Sequence, residues 1–297
     1  MATPNNHTLI DDKSGLIPAF SEIKSQKLIA VDCEGVNLSR KGELTVLTIA
    51  TNTNVFIFDI FKLKQSVFDN GLREILENKS IEKLMFDCRQ DSDSLWHQFR
   101  VRITGVLDLQ LLDIIYRRNR RPRRTYVSTK RSEKDGEIEN INGYKRCLEN
   151  YVYDHKLLEQ KEKGNIQLKD NYMIWKVRPL SETLIQYCVV DVIAMFPMYK
   201  KLKESDEVLP RLSVASERYA DIWRGMEDRS FDRFEFNAFL PLDIIPEEGT
   251  LNFPFASTKC SKCHRKFPHD EFRKVQMRNG SQTCRVCRKV QQQAHRR

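Results

Sequence analysis

The sequence has no apolar run approaching the roughly 20 residues that a membrane-spanning helix requires. Its amino end, MATPNNHTLIDDKSG, also lacks the apolar stretch of a secretory leader. These absences exclude a membrane partner and lead us to expect a soluble intracellular protein, cytoplasmic or nuclear. Without a secretory route, a disulfide framework among the eight cysteines is not expected. Acidic residues are scarce at the carboxyl end, where Ser257 to Arg297 holds 12 Lys/Arg against 2 Asp/Glu, although the whole chain carries only +9. They are absent from Arg117 to Arg131, RRNRRPRRTYVSTKR, which has eight basic residues. Such runs are usually solvated loops, but next to a carboxylate site they would suit a phosphate backbone. Arg117, Arg118, Arg120, Arg121, Arg123 and Arg124 are therefore candidates for nucleic-acid contact.

The cysteines divide into two kinds. Cys33, Cys88, Cys147 and Cys188 are scattered through apolar segments and read as small buried hydrophobes. Cys260, Cys263, Cys284 and Cys287 form two C-x2-C pairs separated by 20 residues, the spacing of a structural four-thiolate Zn2+ site. Phe267, Phe272 and Val275 would give this small unit a minimal core, and it would need its metal to fold. His264 and His269 are expected at the surface, since four cysteines already fill the site. Leu240 to Pro254, with three prolines and one glycine, reads as a linker in front of it.

The body alternates strands and helices. Lys27 to Val36 (KLIAVDCEGV), the hairpin Glu43–Ala50 with Val55–Ile60, Glu82–Cys88 and the brief Gly105–Leu107 read as strands. Helices are expected over Leu16–Ser25, Gln65–Asn78, Asp91–Phe99 and Leu109–Tyr116, the last capped by Asp108. A long helix should start after Ser181, with Pro197 ending or kinking it. This order argues for an α/β sheet with one antiparallel edge.

Within that frame, Asp32 and Glu34 are two apart on a strand, so both project to one side and repel each other unless a cation lies between them. Tyr187 and Asp191, four apart, share a helix face, and an Asp inside QYCVVDVIAMF needs a partner if it is buried. FDCRQDSDSL offers Asp87, Asp91 and Asp93 between a strand end and a helix start.

In this order D-x-E, an Asp at a helix entry and Y-x-x-x-D resemble the DEDD superfamily of 3′-to-5′ exonucleases, tyrosine subclass. FDCRQDSDSLWHQFRVRITGVLDLQ and WKVRPLSETLIQYCVVDV are most similar to its ribonuclease D-like group, with the egalitarian and EXD-type proteins. The resemblance covers roughly residues 25 to 205 and implies a ribonuclease H-like mixed sheet flanked by helices. By position it makes Asp32, Glu34, Asp91 and Asp191 the ligands of two Mg2+ or Mn2+ ions and Tyr187 the subclass tyrosine, with Asp87 and Asp93 as alternatives to Asp91. It implies two-metal hydrolysis of nucleic acid from a free 3′ end, RNA before DNA, releasing nucleoside 5′-monophosphates. The other reading it leaves open is a catalytically silent RNA-binding adaptor of the EXD type. Trp96, Trp175 and Tyr172 are candidates to stack on bases or to lie in the core.

The expected organisation is a flexible lead (1–15), an exonuclease domain (16–205) with a basic insertion at about 117–142, a helical extension (206–239), a linker (240–256) and a zinc ribbon with a basic tail (257–297).

Overall fold

The computed structural model describes residues 6–120, 138–226 and 232–294. In chain order the elements are β1 (Asn6–Ile10), α1 (Leu16–Lys24), β2 (Leu28–Val36), β3 (Glu43–Ala50) and β4 (Asn54–Asp59), then α2 (Ile60–Leu63), α3 (Gln65–Val67), α4 (Arg73–Glu77), β5 (Glu82–Met85), α5 (Arg89–Phe99), β6 (Val106–Asp108) and α6 (Leu109–Asn119). There follow α7 (Tyr144–Tyr151), α8 (His155–Asp170), α9 (Glu182–Ile193), α10 (Met195–Leu202), α11 (Val208–Arg224), β7 (Thr258–Lys259), β8 (Lys266–Phe267), α12 (Lys274–Arg278) and α13 (Arg285–Ala294).

Six strands form one mixed sheet in the order β1-β4-β3-β2-β5-β6. β2, β3 and β4 are antiparallel neighbours, while β5 and β6 run parallel to β2. β2 is therefore central, and both faces of the sheet are covered. Its interior residues Ile29, Ala30 and Val31 are completely buried, as the continuous apolar run requires.

Several expectations are corrected. The segment 1–15 is not a plain flexible lead, because Asn6–Ile10 pairs in parallel with β4 and places Ile10 in the core. The helix expected over 65–78 is broken at Phe68–Leu72, where Gly71 adopts φ 136°, a conformation a side chain would disfavour. The long helix after Ser181, by contrast, breaks ahead of Pro197 as expected: it divides at Ala194, leaving Pro197 in the first turn of α10, where its missing N–H costs nothing. Among its described residues, the extension after residue 205 is helical only over Val208–Arg224, which packs on α5 and β6.

The segment 240–256 is not a free linker either, since Leu240, Ile244 and Ile245 are buried in the main core. Phe239, one residue earlier, packs into a second apolar cluster with Phe267, Phe272, Val286, Val290 and the four late cysteines. Val275, expected in that small core, is 64% exposed, and Val286 and Val290 of α13 take its place.

Candidate active site

β2 delivers Asp32 and Glu34 to the same side at its carboxyl end. Just beyond, the β2–β3 register shifts between Glu34 and Gly35. A Cβ on Gly35 would lie 2.0 Å from the Glu43 carbonyl oxygen, so only glycine lets the two backbones close up at this bulge.

α9 supplies the third carboxylate. Ser181 caps it by accepting the Leu184 N–H, and Arg178 fixes the approach by pairing with Asp59 at the end of β4 through both carboxylate oxygens. The R-P-L segment thus fastens the helix to the sheet. Asp191 is buried in α9, and one of its carboxylate oxygens lies with one each from Asp32 and Glu34 inside a 4.8 Å group. Residues 159 apart in sequence therefore meet at one point.

Of the three candidates entering α5, Asp91 faces β2. It is buried and accepts the Cys33 N–H at 3.0 Å, although it lies outside the three-carboxylate group. Asp93 instead clamps Arg40, taking both the guanidinium and the Arg40 N–H, and Asp87 pairs with Arg89. Asp108 caps α6 as expected, accepting from Gln110 and Leu111, and also takes the Cys88 N–H.

Burial pushes Asp32 well above the usual carboxylate range, reinforced by Glu34, Asp191 and Asp91. Burial, and then Asp191, lifts Glu34 to about 8, and burial lifts Asp91 to about 7 against the hydrogen bond from Cys33. Asp32 Oδ2 is buried and has no hydrogen-bond partner. Several acids crowded into one buried place, one of them with an orphaned oxygen, fit a hard divalent cation. Burial, then Asp191, Glu34 and Asp32, raises the Tyr187 hydroxyl, so it stays protonated and is available as a donor.

The site opens into a groove of ≈ 720 Å³ lined by Glu34, Tyr187, Tyr172, Lys145 and Phe236 among others. Tyr172 is 59% exposed beside it, whereas Trp175 is 1% exposed and packs its ring on Tyr187. Trp96 is half-buried on α5.

Sequence reasoning gave α8 no part in the site. Its Lys161 is buried, donates to both Asp191 oxygens at 2.5 and 2.6 Å, and lies 3.6 Å from the Tyr187 ring centroid. Tyr144 of α7 donates to the Asp191 backbone carbonyl at 2.7 Å. In QKEKGN nothing marks Lys161 out from a solvated face except the mid-helix glycine.

The four late cysteines also converge, with their sulfurs inside a 4.8 Å group and Cys263 to Cys284 at 4.0 Å. Tetrahedral Zn–S bonds of about 2.3 Å imply S···S near 3.8 Å. Backbone N–H groups of Lys262 and Cys284 donate to Cys260 Sγ, and that of Cys287 to Cys284 Sγ. His264 and His269 are exposed and stand outside this group, and the four scattered cysteines are buried.

Within the basic run, Arg117 pairs with Asp113, Arg118 with Glu139 and Arg120 with Glu204. Arg121, Arg123 and Arg124 lie outside the described residues. Among the described residues no helix is long and apolar enough to cross a membrane.

A central strand ending in paired acids, flanked by an antiparallel hairpin and two parallel strands, defines a ribonuclease D-like nuclease fold. The structure of Trypanosoma brucei RNase D in complex with RNA U12 shares it with TM-score 0.63 and 18% identity, covering 80% of this chain and 76% of that one. The GMP complex of the same enzyme gives TM-score 0.60 at 20% identity, covering 74% and 64%. The chain belongs to the 3′-5′ exonuclease domain family, which matches residues 7–205. It is 32% identical over 220 residues to mouse piRNA biogenesis protein EXD1, covering 71% of this chain and 35% of that protein. To the exosome complex exonuclease RRP6 of Saccharomyces cerevisiae it is 23% identical over 234 residues, covering 78% and 26%. The chain thus spans a little over a third of the mouse relative's length.

Proposed function

We propose that this chain is a metal-dependent 3′-5′ exonuclease that hydrolyses phosphodiester bonds from the free 3′ end of a nucleic acid, RNA in preference to DNA, and releases nucleoside 5′-monophosphates. The observation that carries the reading is the meeting of Asp32, Glu34 and Asp191 within 4.8 Å, with Asp32 Oδ2 lacking any partner. Names among its relatives and fold neighbours, ribonuclease D and an exosome exonuclease, agree with it.

Asp32, Glu34 and Asp191 would hold Mg2+ or Mn2+, with Asp91 assisting from behind the Cys33 amide. When bound, two such ions supply a hydroxide nucleophile and neutralise charge on the leaving 3′-oxygen. Tyr187, protonated and at the rim of the groove, orients the attacking water by donating a hydrogen bond. Tyr172 offers an exposed ring on which the terminal base can stack, a contact that tolerates any base. In the carboxyl-terminal unit Cys260, Cys263, Cys284 and Cys287 hold one structural Zn2+, and the surrounding basic residues add sequence-independent affinity for the strand.

Asp32→Asn and Asp191→Asn should each abolish Mg2+-dependent shortening of a single-stranded RNA labelled at its 5′ end, with near-ultraviolet circular dichroism unchanged. Tyr187→Phe should cost far less. Undiminished shortening by both aspartate variants rejects the enzyme, and a folded wild-type chain that binds the RNA without shortening it favours the silent adaptor.

A further inference from the structure

Lys161 does not behave as a surface lysine. Its ammonium is the donor to both oxygens of Asp191, at 2.5 and 2.6 Å, and is held over Tyr187 at 3.6 Å and near Tyr144 at 5.1 Å from the ring centroids. Two aromatic faces and a carboxylate make a cage that suits a cation. The cage is fixed from outside as well. The Tyr144 hydroxyl donates to the Val190 and Asp191 carbonyls, which fastens α7 to the helix that carries the acid.

Gly164, three residues along α8 from Lys161, explains how the lysine reaches so deep. A Cβ there would fall 2.2 Å from Tyr187 Cδ2, so the helix backbone rests directly on the tyrosine ring. Residues three apart share a helix face, which turns Lys161 toward Asp191 at the same contact. Asp191 is also one of the three acids that gather as a metal-binding group. One carboxylate therefore has two claimants.

We propose that the Lys161 ammonium occupies the cation position at Asp191, so that a divalent ion enters the Asp32–Glu34–Asp191 group only by displacing it. The inference rests on the reading of these acids as metal ligands and specifies how that metal is admitted. In the resting chain Lys161 neutralises Asp191 and keeps the site assembled. Entry of the ion requires the side chain to swing out of its aromatic cage, with no change of fold.

The test is Mn2+ binding by the full-length, zinc-loaded chain, followed by calorimetry and by the electron paramagnetic resonance of free Mn2+. Lys161→Met should bind Mn2+ at least tenfold more tightly than wild type, and adding Asp191→Asn to Lys161→Met should remove the gain. Lys161→Arg, which keeps the charge, should stay close to wild type. In the unmodified chain, saturating Mn2+ should raise acylation of Lys161 by an amine reagent, read by mass spectrometry, and this arm needs no variant to fold. Equal affinity of wild type and Lys161→Met, or Lys161 equally protected with and without Mn2+ bound, overturns the proposal and leaves the carboxylates as metal ligands. Failure of every form to bind Mn2+ overturns both.

Discussion

Among the described residues two lysines are buried, and they settle their charge in opposite ways. Lys161 meets a carboxylate. Lys83, completely buried in β5 between β2 and β6, finds only the Asn78 carbonyl, and burial lowers it to about 7. The unfolded chain protonates this lysine up to its ordinary pKa of about 10.4. Between pH 7 and 10.4 the unfolded state therefore binds the extra proton, and stability rises with pH across that window. Below pH 7 both states are protonated and the slope from this residue ends. Lys83→Met should stabilise the protein near neutral pH by a few kcal/mol, on the order of 1.4 kcal/mol per unit of displaced pKa. The gain should fade toward pH 10, because the unfolded chain is by then also losing this proton and folding no longer has to neutralise the lysine. Thermal melts of both proteins from pH 7 to 10 check this, and a constant difference in Tm would refute it. The Asn78 carbonyl keeps the Ile81 N–H, so the substitution leaves no orphaned acceptor.

At the scale of elements, what was legible depended on how strong a period each segment carries. β2, the β3–β4 hairpin and α9 are long and apolar, and their acids stand out against them, so the D-x-E and Y-x-x-x-D positions could be read directly. β1 could not, because NHTLI lies at the sheet edge with its first three residues exposed, leaving only Ile10 fully buried to carry a signal. The segment at 240–256 reads as a linker because its prolines are plain, while Leu240, Ile244 and Ile245 are too few to mark a period. α8 hid the costliest omission, Lys161, since a charged helix conceals a lysine that matters among others that do not. Its glycine gives an element-level prediction. Alanine normally gains about 1 kcal/mol over glycine inside a helix, but at position 164 its Cβ would strike a ring wall that cannot turn aside. Overpacking of this kind costs about 1–3 kcal/mol, so Gly164→Ala should lower Tm and reduce the rate of RNA shortening together. If the variant is stabilised and fully active, α8 does not press on Tyr187 as described.

At the scale of the whole molecule, the carboxyl-terminal unit is not an appendage tied on by a tether. Arg265 pairs with Asp243 through two hydrogen bonds of 2.8 and 2.7 Å, and Phe239 sits in the cysteine-side cluster while its neighbour Leu240 sits in the main core. The same stretch bonds to the far end of the basic insertion, where Ile141 N–H reaches the Ala238 carbonyl and Leu240 N–H the Glu139 carbonyl. Glu139 in turn holds Arg118 at the near end. The four-cysteine cluster thus anchors, through Phe239, the backbone on which the insertion closes. A unit of this size would have too little apolar area to hold its fold without the Zn2+ proposed for its four cysteines. Stripping the metal with a strong chelator should therefore speed amide exchange over 260–287 and, with it, over 138–141 and 238–240, while β2 and β5 keep their protection. Restoring Zn2+, and not Mg2+, should reverse all three changes. Unaltered exchange at 138–141 would mean that the insertion is closed by the nuclease body alone, and the shared ladder would then be a contact without mechanical consequence.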